Sequence, residues 1–264
     1  MPIDWIEIIT LIIAGLAVGV LGGLLGIGGS IIMIPILTLL FRHDQHLSQA
    51  AAMIVNVCVS APAVVRHQRA RAIEWTVVRR MLLAGLIFIL IGVACSNRLD
   101  GRKLMIVFGL FLIYVILVNT RKLFDNTDGD DNRDAHHDWT RASLVGAAMG
   151  FVAGLLGVGG GIVAVPLLQR ICRLPLRHCI AVSATVMCVT APLGAIRKNM
   201  ALVQLSDLQR PVLVSLIIAA CLAPTAIVGG FLGATLTHRL PLKAVRAALI
   251  ILLTLASAKY LGIL

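Results

Sequence analysis

Residues Gly22–Leu37 read GGLLGIGGSIIMIPIL, and residues Ala153–Leu168 read AGLLGVGGGIVAVPLL. Each copy lies inside an apolar run too long for an element of a soluble core. A glycine cluster that breaks such a run, at matching places in two halves of a chain, is the sequence pattern of a transporter's binding region.

The surrounding composition sets the frame. Of the 264 residues 59% are hydrophobic and only 13% charged, and the mean hydropathy is +0.98. A soluble domain carries roughly 25% charged residues. The chain therefore reads as an all-α polytopic membrane protein. Asp4 and Glu7 stand where a secretory signal needs a basic start, so Met1 onward is expected to remain in the protein. The net charge of +11 is spread over loops between apolar blocks. That distribution fits the positive-inside rule and argues against a nucleic-acid partner. The six cysteines include no CxxC pair and read as small hydrophobes, Cys58 and Cys188 among them.

Four apolar blocks (Trp5–Phe41, Ala50–Val65, Val77–Cys95 and Leu104–Val118) precede a polar stretch, Arg121–Arg141, with six of the twelve acidic residues. Four more follow: Ala142–Leu168, His178–Ile196, Val212–Leu236 and Ala244–Ala258. The organisation is a first transmembrane repeat over 1–120, a polar linker over 121–141 and a second repeat over 142–264. CVSAP at Cys58–Pro62 matches CVTAP at Cys188–Pro192, and IGVACSNRL at Ile91–Leu99 matches LGATLTHRL at Leu232–Leu240.

As one helix, Trp5–Phe41 would be about 55 Å long against a hydrocarbon core of about 30 Å. The first block of each half is thus expected to be a helical hairpin broken at the glycines, either a re-entrant pair or two short spans. Three ordinary spans then follow. An odd number of crossings per half makes the two repeats inverted. With the Arg66–Arg80 loop in the cytoplasm, fifteen of the twenty-three Lys and Arg residues fall on that side, the sign the positive-inside rule requires. A parallel arrangement with different spans also accommodates these charges.

The duplicated phrase, of the form GLLGxGGGxxxxPxL, resembles the TauE/SafE sulfite exporter (TSUP) family. The matching positions are Gly26, Gly28, Gly29 and Pro35, then Gly157, Gly159, Gly160, Gly161 and Pro166, with Ser30 standing where the second copy has Gly161. The resemblance covers nearly the whole chain, including a GxxxxxRL helix end in each half. It implies a transporter of sulfite, sulfonates or other small organic anions in the plasma membrane, the inner membrane of a bacterium.

Why such residues suit an anion follows from the backbone. A helix restarting after the glycines exposes amide N–H groups without intrahelical partners, at the positive end of its dipole. Glycine lets a ligand approach the main chain, and Pro35 and Pro166 kink the restarted helices. A helix start supplies at most about 2 kcal/mol, far less than dehydrating an anion costs. Further donors are needed, and Ser30, Asn56, Ser60, Ser183, Thr185 and Thr190 are the candidates. Ser60 and Thr190 are repeat mates and form the favoured pair, although a hydroxyl on a membrane helix commonly bonds its own preceding turn.

Gly23, Gly92, Gly154 and Gly233 read as packing contacts. Arg66 and His67 read as a positive-inside anchor, with attraction of anions to a cavity mouth as the rarer role. The clusters His43–Asp44–His46 and His136–His137–Asp138 are weak metal candidates, so no metal and no cofactor is expected. No Asp or Glu lies deep in an apolar block, so coupling to protons, if it occurs, falls to a histidine, a terminal residue or the substrate. The expected partners are a small anion and the lipid bilayer. The functional reading is a carrier in which one repeat rocks against the other. An anion channel and a carrier for non-sulfur organic acids are the alternatives; an enzyme lacks its motifs, with no HExxH and no buried carboxylate pair.

Overall fold

In the computed structural model, residues 5–25, 28–124, 138–206, 209–236 and 242–260 are described. They form ten helices and, among the described residues, no strand. The first block divides into α1 (Trp5–Leu25) and α2 (Ser30–Pro35), which runs on as a π-helical turn over Ile36–Leu40. Then come α3 (Gln45–Arg69), α4 (Trp75–Asn97) and α5 (Gly101–Phe124). The second half repeats the order: α6 (Trp139–Leu156), α7 (Gly161–Leu167) with a π turn over Leu168–Cys172, α8 (Leu176–Leu205), α9 (Pro211–Leu236) and α10 (Leu242–Tyr260). The linker expected over 121–141 thus overlaps the end of α5 and the start of α6.

Each first block doubles back, as expected from its length. Gly29 lies against Val18, and Gly160 against Met149, so α2 and α7 fold back along α1 and α6. At 1.5 Å per residue α1 is about 31 Å long, whereas α2 with its π turn covers only about half of that. The return limbs match down to their ends. Pro35 and Pro166 withdraw an amide just before each π turn. Arg42 and Arg173 then both take left-handed φ, 55° and 53°. Asp44 starts α3 by accepting from the amides of His46 (2.8 Å) and Leu47 (3.3 Å), a conventional N-cap.

Packing crosses between the halves. Gly15 sits against Leu222 and Thr225, Gly19 against Ala226, and Gly229 against Leu16 and Val20, so α1 and α9 run parallel in close contact. Gly146 sits against Met81, Gly150 against Gly85, and Gly154 against Ile89 and Val93, so α4 and α6 do the same. Gly92 against Phe151 and Gly154 against Ile89 have the packing role expected of them. Small residues let these backbones approach closely, the main device of helix association where no water drives burial. At the centre α3 crosses α8 antiparallel: Met53 meets Gly194 and His46 meets Lys198. α5 packs on α10 through Phe108 against Tyr260 and Ser257 on the Gly109 carbonyl.

Among the described residues, six helices are long and apolar enough to cross a membrane. Their outer faces carry exposed Leu83, Leu90, Leu110, Leu117, Leu216 and Phe231. So much unpolar surface fits a bilayer.

Candidate functional site

The two glycine breaks meet. Gly28 is held at φ 72°, where a side chain is strained, and a Cβ there would stand 3.0 Å from the Gly159 Cα and 3.2 Å from Asn56 Oδ1. Gly157 repeats that φ of 72° as it ends α6; a Cβ on it would press into Gln49 at 2.9 Å. Gly29 and Gly160 start α2 and α7. The Gly29 carbonyl accepts from Ile32 and Met33 (both 3.1 Å), and that of Gly160 from Val163 (3.1 Å) and Ala164 (2.9 Å). Gly161 is the first residue of α7. Gly26 lies outside the described residues.

Ser30 pins the contact. Its buried hydroxyl oxygen accepts from the Gly159 amide at 2.8 Å and from Asn56 Nδ2 at 3.1 Å. Asn56 also donates to the Gly157 carbonyl at 3.4 Å. Its Oδ1 is buried with no hydrogen-bond partner, an acceptor left without a donor, which normally costs stability. Gly28, Ser30, Asn56 and Gly159, from three separate stretches of the chain, therefore form one knot between α2, α3 and the second break.

A narrow cleft, with an internal volume of about 10 Å³, ends on this knot. Gly22, Gly28, Val59, Ser60, Ala63, His67, Ala184 and Met187 line it. Its mouth is at the C-terminal end of α3, beside His67. The neighbouring Arg66 lays its guanidinium 5.4 Å over the Phe231 ring, holding a cation near that mouth.

The remaining hydroxyls are placed differently. Ser60 lines the cleft while donating to the Val57 carbonyl at 3.1 Å. Ser183, Thr185 and Thr190 donate to Ile180 (3.1 Å), Ala181 (2.7 Å) and Val186 (3.0 Å) on their own helix. Thr190 packs toward Gly85 on α4, away from the cleft, so the repeat mates Ser60 and Thr190 do not face each other. Pro35 and Pro166 shape α2 and α7 from within. Cys58 and Cys188 are free and half-buried. In the His43–Asp44–His46 group Asp44 is the α3 cap, and His46 turns to Lys198 and the Leu99 carbonyl. His136 and His137 lie outside the described residues.

On the far side of the knot the chain is sealed by a cluster of which only His46 figured among the sequence candidates, and there as a weak metal ligand. Lys198 Nζ is buried within 3.0 Å of His46 Nδ1, 2.7 Å of Ser96 Oγ and 3.0 Å of Asn97 Oδ1. Ser96 donates to Gln49 Oε1 at 3.0 Å, and Gln49 Nε2 reaches the Leu155 carbonyl at 3.3 Å. The missed signal is helix length. α8 runs past its apolar block to Leu205, and its contacts with α3 and α4 carry Lys198 into the bundle.

Comparison with known proteins agrees with the architecture. The family described as "Sulfite exporter TauE/SafE" matches residues 11–260. The "Probable membrane transporter protein MamO" of Paramagnetospirillum magneticum is 25% identical over 272 residues, covering 91% of this chain and 42% of that protein. This chain therefore spans less than half the length of that relative. The "Probable membrane transporter protein MJ0441" of Methanocaldococcus jannaschii is 30% identical over 194 residues, 70% of each chain. The "Probable membrane transporter protein YunE" of Bacillus subtilis is 22% identical over 265 residues, 90% of this chain and 91% of that one. No solved structure gives a significant match.

Proposed function

Since the chain belongs to the sulfite exporter TauE/SafE family and is an integral, multi-pass membrane transporter, we propose that it carries a small oxyanion, sulfite or a related sulfonate, across a bacterial inner membrane by alternating access. The observation that carries this reading is the cleft that ends on the contact of two glycine breaks, open on one side and sealed by the Lys198 cluster on the other. A site reachable from one side only is what a carrier needs and a conducting channel does not.

The helix directions support inverted repeats. α1 runs with α9 and α4 runs with α6, while α2 and α7 fold back and α3 opposes α8. Threading the chain this way sets equivalent helices of the two halves in opposite senses. It also puts the cleft mouth on the side of the Arg66–Arg80 loop, the arginine-rich and hence cytoplasmic side. The packing reassigns the rocking units: α1, α2, α3 and α9 form one bundle, α4, α6, α7 and α8 the other, and they meet along α3 and α8.

The chemistry of the knot favours an anion that carries a donor of its own. The first amides of the restarted helices offer donors, whereas Asn56 Oδ1 is an acceptor without a donor. Hydrogensulfite presents both, and brings its proton with it, so no intramembrane carboxylate is required.

Flux of ³⁵S-sulfite, a radiolabelled sulfonate and a carboxylate in proteoliposomes tests this. Saturable sulfite flux accelerated by counter-substrate is the expected result. Flux driven by potential alone, without counterflow, would assign a channel, and no flux of any of the three overturns the reading.

A further inference from the structure

α3 carries one face of unusual regularity. His46, Gln49, Met53, Asn56, Ser60, Ala63 and His67 recur at alternating spacings of three and four residues, which places them on one stripe. Over these residues the helix rises about 32 Å, the thickness of the hydrocarbon core. The stripe is in use throughout. Ser60, Ala63 and His67 line the cleft, Asn56 binds the glycine knot, Gln49 packs under Gly157, and His46 meets Lys198.

At its sealed end the stripe meets the Lys198 amine, with no carboxylate in hydrogen-bond contact. Lys198 is 0% exposed, and its three acceptors, His46 Nδ1, Ser96 Oγ and Asn97 Oδ1, belong to side chains that carry no negative charge. His46 Nε2 stands 3.1 Å from the Leu99 carbonyl; donating there leaves Nδ1 free to accept from the lysine. Two carboxylates face this corner, and both are occupied. Asp44 caps α3, and Asp100, largely exposed, pairs with Lys103 at 3.2 Å. Gln45, on the same turn of α3 as His46, buries both amide heteroatoms without a partner. A buried lysine amine, a hydroxyl and amide groups, with no carboxylate bonded to them, make a site that an anion would complete, its charge favouring the protonated lysine.

We infer that Lys198, Ser96, His46 and Gln49 form a second oxyanion station, where the transported anion stops after passing the glycine knot and before release on the far side. This rests on the transport reading above and extends it: Lys198 trades its neutral acceptors for the anion, which loosens the ties between α8 and both α3 and α4 and opens that side. Asn97 is left to hold the lysine once the anion departs.

The test uses the full-length protein and ³⁵S-sulfite in proteoliposomes. Wild-type flux is the control on which the transport reading itself stands or falls. Given that flux, Lys198→Met is expected to lower the maximal rate about tenfold or more, and Ser96→Ala by a smaller factor, while sulfite binding to detergent-solubilised protein at the cleft persists. Unchanged flux in Lys198→Met overturns the station and leaves the transport reading intact. Should that variant misfold, judged by gel filtration and thermal melting, the wild-type protein decides. Titrating sulfite into ¹⁵N-lysine-labelled protein is expected to shift the Lys198 Nζ resonance, and no shift at saturating sulfite overturns the proposal.

Discussion

The two halves of this molecule agree in backbone and disagree in chemistry. Arg42 and Arg173, repeat mates, end the two return limbs with the same left-handed φ. Gly15 and Gly19 on α1 pack on α9 as Gly146 and Gly150 on α6 pack on α4. Side chains part company at the centre. Ser30 holds the Gly159 amide and Asn56, but its mate is Gly161, which has no hydroxyl to offer in return. In the register of Cys58 and Cys188, Gln49, Asn56 and Ser60 on α3 stand opposite Cys179, Val186 and Thr190 on α8. Duplication supplied a symmetric scaffold, and one copy, α3, kept or acquired the polar stripe.

The scaffold half of that comparison breaks first. Gly19→Leu and Gly150→Leu each drive a side chain into the backbone of the partner helix, Ala226 and Gly85 respectively. Both are expected to lose folded protein by similar amounts, several kcal/mol each and at least about 3, read as yield of monodisperse protein and melting temperature. A large difference between them would mean that the two parallel helix pairs are not equivalent. Gly28→Ala comes next. Its Cβ meets the second break at 3.0 Å with φ at 72°, a cost of about 1–2 kcal/mol in backbone strain alone. The fold is expected to survive while sulfite flux falls by about 30-fold or more, because the moving contact is wedged.

Ser30→Ala probes the asymmetry directly. It leaves the Gly159 amide and one Asn56 donor unpaired in a buried place, for about 1–3 kcal/mol of stability, and flux is expected to drop about tenfold. Thr190→Val is the counterpart with the smallest effect. That hydroxyl bonds only its own helix, at Val186, so flux is expected to stay within about twofold and stability within about 0.5 kcal/mol. Equal losses in Ser30→Ala and Thr190→Val would erase the distinction between the halves.

Much of the architecture was legible in the sequence. The duplicated phrase and the excess length of Trp5–Phe41 already required a doubled-back first block, and the glycines had to mark the break. The residues of the knot, Gly28, Ser30, Asn56 and Gly159, were all among the candidates. Their mutual arrangement was not, because repeat matching pairs Ser60 with Thr190, while a cleft open to one side treats equivalent positions unequally. Lys198 escaped for a different reason. Hydropathy ends the block at Ile196, yet α8 continues to Leu205, and the helix is held there by partners 100 and more residues away. Gln49 was lost at the other edge in the same way, and His46 was read as a loop residue, since α3 begins at Gln45 and not at Ala50.

The exchange of partners between halves, α1 with α9 and α4 with α6, has a consequence for how the chain is assembled. Neither half on its own satisfies the glycine-lined faces of its first and fourth helices; each must wait for the other to be synthesised and inserted. Two separately made copies of an ancestral half could have met this need only by clasping one another, each lending a helix. On the proposed reading of two repeats, joining them end to end turns an encounter between molecules into an event within one, and sets the exchanged helices across the boundary between the halves.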